Sequence, residues 1–486
     1  MNRQIVKLFS FFVVLFGVLV GFTSYWAVFD AEALKEKEAN KRPLIEQQQI
    51  RRGRILAADG TLIAKSVARG PQGERTYVRR YPEGELFGHP IGYSFVRQGD
   101  SEFEEFHNDE LVGNESEFKS ILDELTGETQ EGNNVVTNID SEAQRVALSA
   151  LEEQGYGAVV AIEPKSGRVR VMASNKSFDP NRIPFELEKF NRNDLETPVF
   201  NRATQGRYPP GSTFKVVTAA SALENDVITP DTAIAAPSPL IVETKPLSND
   251  FDTSYPPVTL DYALTNSINT WFAQVGEKVG GDDLFETMRE FGFGSDPPID
   301  LPEEQVSASG VRDENDDLLG PGDPVDVGRV AIGQERLAVS PLQMAMVASA
   351  VANEGRLMKP QIWSRVVDPD GRVTERLDPS EYSEPISADT AAALTTAMEG
   401  VVNEGTGTNA AISGVAVAGK TGTAETPFNR SCGGGIDENQ AWFIGFAPAD
   451  DPEIAIAATV ECTTQFGGDI AAPIFREVAE TILNGS

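Results

Sequence analysis

Tyr208-Pro209-Pro210-Gly211-Ser212-Thr213-Phe214-Lys215 is the segment of this chain best equipped for chemistry. Two prolines and a glycine force a loop, and Thr213–Glu224 then reads as an apolar, alanine-rich helix. Ser212 therefore stands at a helix N-terminus, where free N–H groups and the dipole favour developing negative charge. Lys215 follows about one turn later on the same face. A desolvated lysine beside a serine can take its proton without any histidine, which makes Ser212 a candidate nucleophile. The chain has only His89 and His107, both in its first quarter, so a Ser-His-Asp arrangement would have to use one of them. A lone Ser-x-x-Lys is weak evidence. Ser116-Glu117-Phe118-Lys119 repeats the pattern in an acidic stretch with no turn before it, and reads as a solvated helix face.

Two later segments strengthen the first. Ser267-Ile268-Asn269 follows a polar break at Thr265-Asn266. Lys420-Thr421-Gly422-Thr423 follows Gly414–Gly419, read as a strand of small residues against whose edge a substrate backbone can lie. Alone, Ser-x-Asn reads as a loop or cap and Lys-Thr-Gly as a turn. In this order and on these elements, the three are jointly specific.

The positioning elements form a pattern of their own. Gly157–Ile162 and Arg168–Ala173 are strand-like runs joined by the Pro164–Gly167 turn, preceded by a helix over Asp140–Gln154. Ala441–Phe446 and Ile454–Val460 form a second hairpin, followed by a helix expected over Ala472–Leu483. Strands at both ends of a helix-rich stretch predict an α+β domain whose sheet draws on both ends.

From Leu8 to Phe29 the chain carries no charge. As a helix at about 1.5 Å per residue this run spans roughly 33 Å, enough for a bilayer core. Arg3 and Lys7 precede it and Asp30 and Glu32 follow, which places the N-terminus in the cytoplasm and the body outside. The run is long for a signal peptide, and no clear small-x-small cleavage site follows it. Lys35–Gln49 reads as a short helical stalk. Outside the cytoplasm the two cysteines, Cys432 and Cys462, can pair, and the second hairpin would bring them near each other. Two independent small apolar residues are the alternative. Acids outnumber bases 74 to 41, for a net charge of −33, which argues against a nucleic-acid partner. The histidine and cysteine counts leave little to hold a metal.

The motif set resembles that of the penicillin-binding proteins and serine β-lactamases. The likeness covers about residues 136–486. It extends to Ile139-Asp140 with Gln144, Phe178–Asn181, Asn201-Arg202-Ala203, Ala331–Gln334 and Trp442–Pro448, with Glu335 departing from the glycine that many relatives carry. Arg52-Gly53 is similar to the membrane-proximal motif of class B members. A class A member would need a glycosyltransferase module on the order of 200 residues, and only residues 30–135 lie between anchor and transpeptidase. Glu102–His107 superficially resembles that module's acidic motif but reads as an acidic helix.

The resemblance implies the serine β-lactamase/penicillin-binding-protein transpeptidase fold, an antiparallel sheet flanked by helices plus an all-α lobe. It sets a cytoplasmic tail at 1–7, an anchor at 8–29, a membrane-proximal domain at 30–135 and a transpeptidase domain at 136–486. It implies that Ser212 attacks the D-Ala-D-Ala end of peptidoglycan stem peptides, with Lys215 as base, kept partly neutral by Lys420 and burial. The N–H groups of Ser212 and Thr423 would form the oxyanion hole. Ser267 would relay a proton, and Asn269 would hold Lys215 and a substrate carbonyl. Lys420, Thr421 and Thr423, with Gly422 between, would receive the terminal carboxylate. No cofactor and no metal are implied. β-Lactams would acylate the same serine. A SEDS-type glycosyltransferase and other cell-wall elongation or division proteins would be partners at the cytoplasmic membrane. A β-lactamase, a D,D-carboxypeptidase and a non-catalytic scaffold are the rival readings.

Overall fold

A computed structural model describes residues 2–28, 49–71, 75–113, 131–190, 197–425 and 439–485. The two hairpins expected from the sequence join edge to edge, and a fifth strand at one edge completes one antiparallel sheet. Its order is Ala418–Glu425, Asn439–Ala447, Ile454–Thr463, Gly157–Ile162, Val169–Asn175. The inner strands are nearly all apolar because both faces are covered. Val159 and Ala161 pack with Ala143, Ala147 and Leu151 of the Ser141–Gln154 helix and with Phe475 and Val478 of the C-terminal helix. Their neighbours Ala158, Val160 and Ile162 turn to the other core, shared with the wholly buried Pro341–Ala352 helix. The period-two alternation of a strand thus feeds two cores.

Two elements depart from expectation. Lys420-Thr421-Gly422-Thr423 does not follow a strand: it lies inside Ala418–Glu425, and Gly414 sits in a turn at φ 80°. Pairing with Asn439–Ala447, Lys420 opposite Ile444, sets the strand later than the run of small residues suggested. The last helix begins at Gly467. A Cβ on Gly467 would stand 2.2 Å from Trp442 O, and one on Gly468 2.1 Å from Thr406 O. These glycines serve close backbone packing, and the helix starts five residues before the expected Ala472.

The sheet of the expected membrane-proximal domain has six strands, in the order Val373–Arg376, Trp363–Val367, Asn134–Thr137, Ile55–Leu56, Leu62–Arg69, Thr76–Arg80. Chain from residues 363–376 thus completes a sheet begun at residue 55. The sequence boundary at 135/136 falls inside the Asn134–Thr137 strand, which pairs in parallel with Ile55–Leu56. Glu102–Phe106 is a helix as expected, but Glu104 is fully buried. Its carboxylate accepts from Arg52 Nε at 2.8 Å, Arg79 Nε at 2.6 Å and Tyr81 Oη at 3.0 Å. Burial alone would raise Glu104, but Arg79 and Arg52 hold it below the usual carboxylate range.

His107 bonds across to residues beyond the expected boundary at 135/136. Its Nε2 lies 3.2 Å from Asp300 Oδ2 and its Nδ1 3.5 Å from Glu110 Oε2, with Phe103, Phe106 and Trp363 around the ring. Asp300 also accepts the N–H groups of Ile362 and Trp363, at 2.6 and 2.8 Å. Burial lowers the imidazole, but Asp300 and Glu110 outweigh it and raise His107 to about 9. A base raised above its unfolded value stabilises fully below about 6.5, and that contribution is lost as pH rises through about 9. Unfolding of wild type should therefore show a stability loss between pH 7 and 10 that is absent in His107→Gln.

Asn2–Val28 is one helix, long and apolar enough over Arg3–Thr23 to cross a membrane. Phe29, residues 35–48 and Ser116–Lys119 lie outside the described residues.

Candidate active site

Ser212 sits on a single 3-10 turn, Gly211–Phe214, that runs directly into the helix Lys215–Glu224. It is half-buried between buried neighbours. The turn is gripped from three sides. Gly211 N–H donates to Gly333 O at 3.1 Å, and Thr218 Oγ1 donates to Ala331 O at 2.7 Å. Gly333 has φ 78°, and a Cβ on it would stand 1.9 Å from Gly211 O, so the Ala331–Gln334 segment acts as a backbone clamp. Glu335 itself is left-handed, at φ 57°, a conformation that a glycine would adopt without strain. On another side Trp442 Nε1 donates to Pro209 O at 3.0 Å. On the third, a Cβ on Gly422 would stand 2.7 Å from Pro210 O. The Ala418–Glu425 strand is therefore pressed against the nucleophile turn.

Ser267 and Asn269 come from the joint between the helices Leu260–Thr265 and Asn269–Val279. Ser267 is held at φ 53°, an uncommon state for a non-glycine residue and one that clusters at functional sites. Lys215 Nζ lies 2.7 Å from Ser267 O, 3.2 Å from Ser267 Oγ and 2.7 Å from Asn269 Oδ1. Lys420 Nζ reaches the same Ser267 Oγ at 3.0 Å and donates to Thr421 O at 3.1 Å. One hydroxyl thus bridges two fully buried lysines. Burial, then the charge of Lys420, holds Lys215 well below the ordinary lysine value. Burial brings Lys420 down to about 7, with Asp250 pulling the other way. Near neutral pH the pair favours a neutral Lys215 beside a partly charged Lys420.

Thr421 Oγ1 lies 2.6 Å from Thr406 Oγ1, and Thr423 Oγ1 accepts from Gly467 N–H at 3.1 Å. Ser212, Lys215, Ser267, Asn269 and Lys420 to Thr423 are thus gathered around one turn. Cys432 lies outside the described residues, while Cys462 is the penultimate residue of the Ile454–Thr463 strand and is not a free thiol.

Sequence reasoning missed a supporting group. Glu461, buried, accepts from Tyr208 Oη at 2.7 Å and pairs with Arg202 Nε at 2.9 Å. The Arg202 guanidinium also lies over the Tyr156 ring, 4.9 Å from its centre. The available signal was one acid closing the apolar Ile454–Val460 run.

A serine on a clamped turn, next to a depressed lysine and a bridging hydroxyl, is machinery for acyl transfer without metal ligands. The comparisons agree. Residues 157–480 match the family described as Penicillin binding protein transpeptidase domain, and residues 52–135 the Penicillin binding protein A dimerisation domain. The chain belongs to the penicillin-binding protein transpeptidase family. It is 32% identical to Peptidoglycan D,D-transpeptidase PbpA of Mycolicibacterium smegmatis over 100% of both chains. Identity to PbpA of Mycobacterium tuberculosis is 34%, over 94% of each. The structure of penicillin-binding protein A from M. tuberculosis as an imipenem acyl-enzyme complex superposes with a TM-score of 0.79 at 32% identity. That match covers 90% of this chain and 100% of the other. Together with the apolar Arg3–Thr23 helix, membership makes this a membrane-anchored penicillin-binding protein.

Proposed function

We propose that the chain is a peptidoglycan D,D-transpeptidase that forms an acyl-enzyme on Ser212 from the D-Ala-D-Ala end of a stem peptide and binds penicillin covalently at the same atom. The observation that carries this reading is the Ser267 hydroxyl held between Lys215 and Lys420 beside the clamped Ser212 turn. Neutral Lys215 takes the Ser212 proton as Oγ attacks the carbonyl. The N–H groups of Ser212 and Thr423 receive the oxyanion. Ser267 passes the proton to the departing D-alanine amine, while Asn269 orients Lys215. Lys420, with the Thr421 and Thr423 hydroxyls, holds the terminal carboxylate, and Gly422 lets the strand close on the turn. An acceptor amine from a neighbouring strand then takes the acyl group. The acyl-enzyme complexes of M. tuberculosis penicillin-binding protein A with imipenem and penicillin G support the covalent step.

The test uses the full chain in detergent, with fluorescent penicillin followed over hours and a stem peptide plus an amine acceptor followed by mass. Transpeptidation is expected as a stable label and D-alanine release coupled to a new amide. Release without amide formation would make it a carboxypeptidase. A label that fades within minutes would make it a β-lactamase, and no reaction in folded protein would leave a scaffold.

The pH profile is a second test. Acylation should fall on the acid side as Lys215 gains a proton, and on the alkaline side as Lys420 loses its own near about 7. Lys420→Arg, which stays charged, should remove the alkaline limb in a stopped-flow profile.

In the same reading residues 1–7 are cytoplasmic, 8–29 span the membrane, and the 30–135 and 136–486 domains lie outside it. The anchor and residues 30–135 contact a SEDS-type glycosyltransferase, which co-purification would reveal. Cys432 and Cys462 form a bridge, supported by Cys462 not being free. Alkylation without reductant should add no mass.

A further inference from the structure

A cavity of about 250 Å³ opens between the membrane-proximal sheet and the hairpin of Gly157–Ile162 and Val169–Asn175. It lies toward the edge of the five-stranded sheet opposite the catalytic Ala418–Glu425 strand. Four arginines line it, Arg168, Arg170, Arg365 and Arg376, together with Glu163 and Thr137. In a chain of net charge −33 this concentration of cations runs against the rest of the composition.

The acids nearby neutralise only part of it. Arg170 bonds Glu163 at 2.6 Å and Asp140 at 3.1 Å, and Arg168 lies 3.6 Å from Glu163. Among the described residues, neither Arg365 nor Arg376 has an acidic partner or a side-chain hydrogen bond. They stand directly opposite each other in the register of the Trp363–Val367 and Val373–Arg376 strands. Like charges at opposed positions destabilise a strand pair. Thr137 Oγ1 is buried without a hydrogen-bond partner, and so is Arg170 Nε. Two guanidinium groups without an acidic partner among the described residues therefore line one polar cavity, and two orphaned donors lie in its wall.

We propose that this cavity binds a phosphate ester. The two guanidinium charges left over suit a phosphate, which carries one negative charge as a diester and up to two as a monoester. Its non-bridging oxygens can take guanidinium forks from both strands at once. The ester is either a free phosphorylated molecule or an anionic lipid headgroup, and the two give different results in the test.

The full chain in neutral detergent is titrated with inorganic phosphate against chloride at matched ionic strength, with thermal unfolding as readout. A second arm reconstitutes it in phosphatidylglycerol or phosphatidylcholine bilayers. The expected result is a saturable rise in unfolding midpoint with phosphate or with phosphatidylglycerol. The apparent affinity should weaken at least tenfold in Arg365→Gln/Arg376→Gln and in the single variant Arg376→Gln, whose strand is exposed. Without anion both variants should be as stable as wild type or more so, the reverse of what a structural arginine would show. Penicillin labelling should not change. A response to phosphate alone identifies a free ester, and a response only to the phosphatidylglycerol bilayer identifies a headgroup. No saturable response to either probe, or equal responses in wild type and variants, overturns the proposal.

Discussion

Ser212→Ala is expected to abolish penicillin labelling altogether while leaving the unfolding midpoint close to that of wild type. Nothing in the turn depends on the Ser212 hydroxyl: the clamp is made by Gly211 N–H, by Thr213 Oγ1 bonded to Pro210 O at 2.8 Å, and by Trp442. Lys215→Ala should lower the acylation rate by about three to six orders of magnitude, the scale on which members of a nucleophile–base unit act. Lys215 is fully buried with its ammonium form disfavoured, so its removal relieves a desolvation cost. The variant should lose activity without an equal loss of stability. Labelling and thermal unfolding on the same samples separate these effects. Wild-type labelling in Ser212→Ala would move the acylated group to another residue and end the proposed mechanism.

The second large effect is on stability. Glu461→Gln should cost about 3–5 kcal/mol, the usual penalty for breaking a buried ion pair by removing one partner. Arg202 is 1% exposed, so its guanidinium cannot turn to water when the carboxylate is gone. Tyr208 Oη loses its charged acceptor too, and Tyr208 begins the Pro209-Pro210-Gly211 loop that presents Ser212. Acylation should therefore slow in the folded fraction. The double variant Arg202→Met/Glu461→Met removes both charges and should recover most of the lost stability, because apolar replacement of a whole buried pair is often neutral. Denaturant unfolding of the two single variants and the double gives the coupling directly. Equal stability of Glu461→Gln and wild type would refute the account.

The parts of this protein legible in the sequence share a physical origin: they are local or periodic. Pro209-Pro210-Gly211 announces a turn, the apolar run after it a helix, and the uncharged Leu8–Phe29 run a span, because each rests on neighbouring residues alone. The alternating cores of Val159, Ala161 and Ala158, Val160 follow from the same periodicity. The proposed catalytic residues were legible because their spacing is that of a known family, not because spacing shows that Lys215 and Lys420 meet.

What the tertiary structure alone decided involves groups far apart along the chain. Nothing local marks Glu461 as the partner of Arg202, or Glu104 as the partner of Arg52 and Arg79; read singly, each is an acid expected at the surface. The strand placement of Lys420–Thr423 needed Asn439–Ala447 opposite it, and the helix start at Gly467 needed the close approach to Trp442 O. The opposed Arg365 and Arg376 emerge only from register. Sequence by itself determined the turns, spans and motif order, since these depend on contacts within a few residues. Burial, pairing and the lowered lysine values belong to the assembled fold, because desolvation and charge coupling exist only once distant segments have excluded water together.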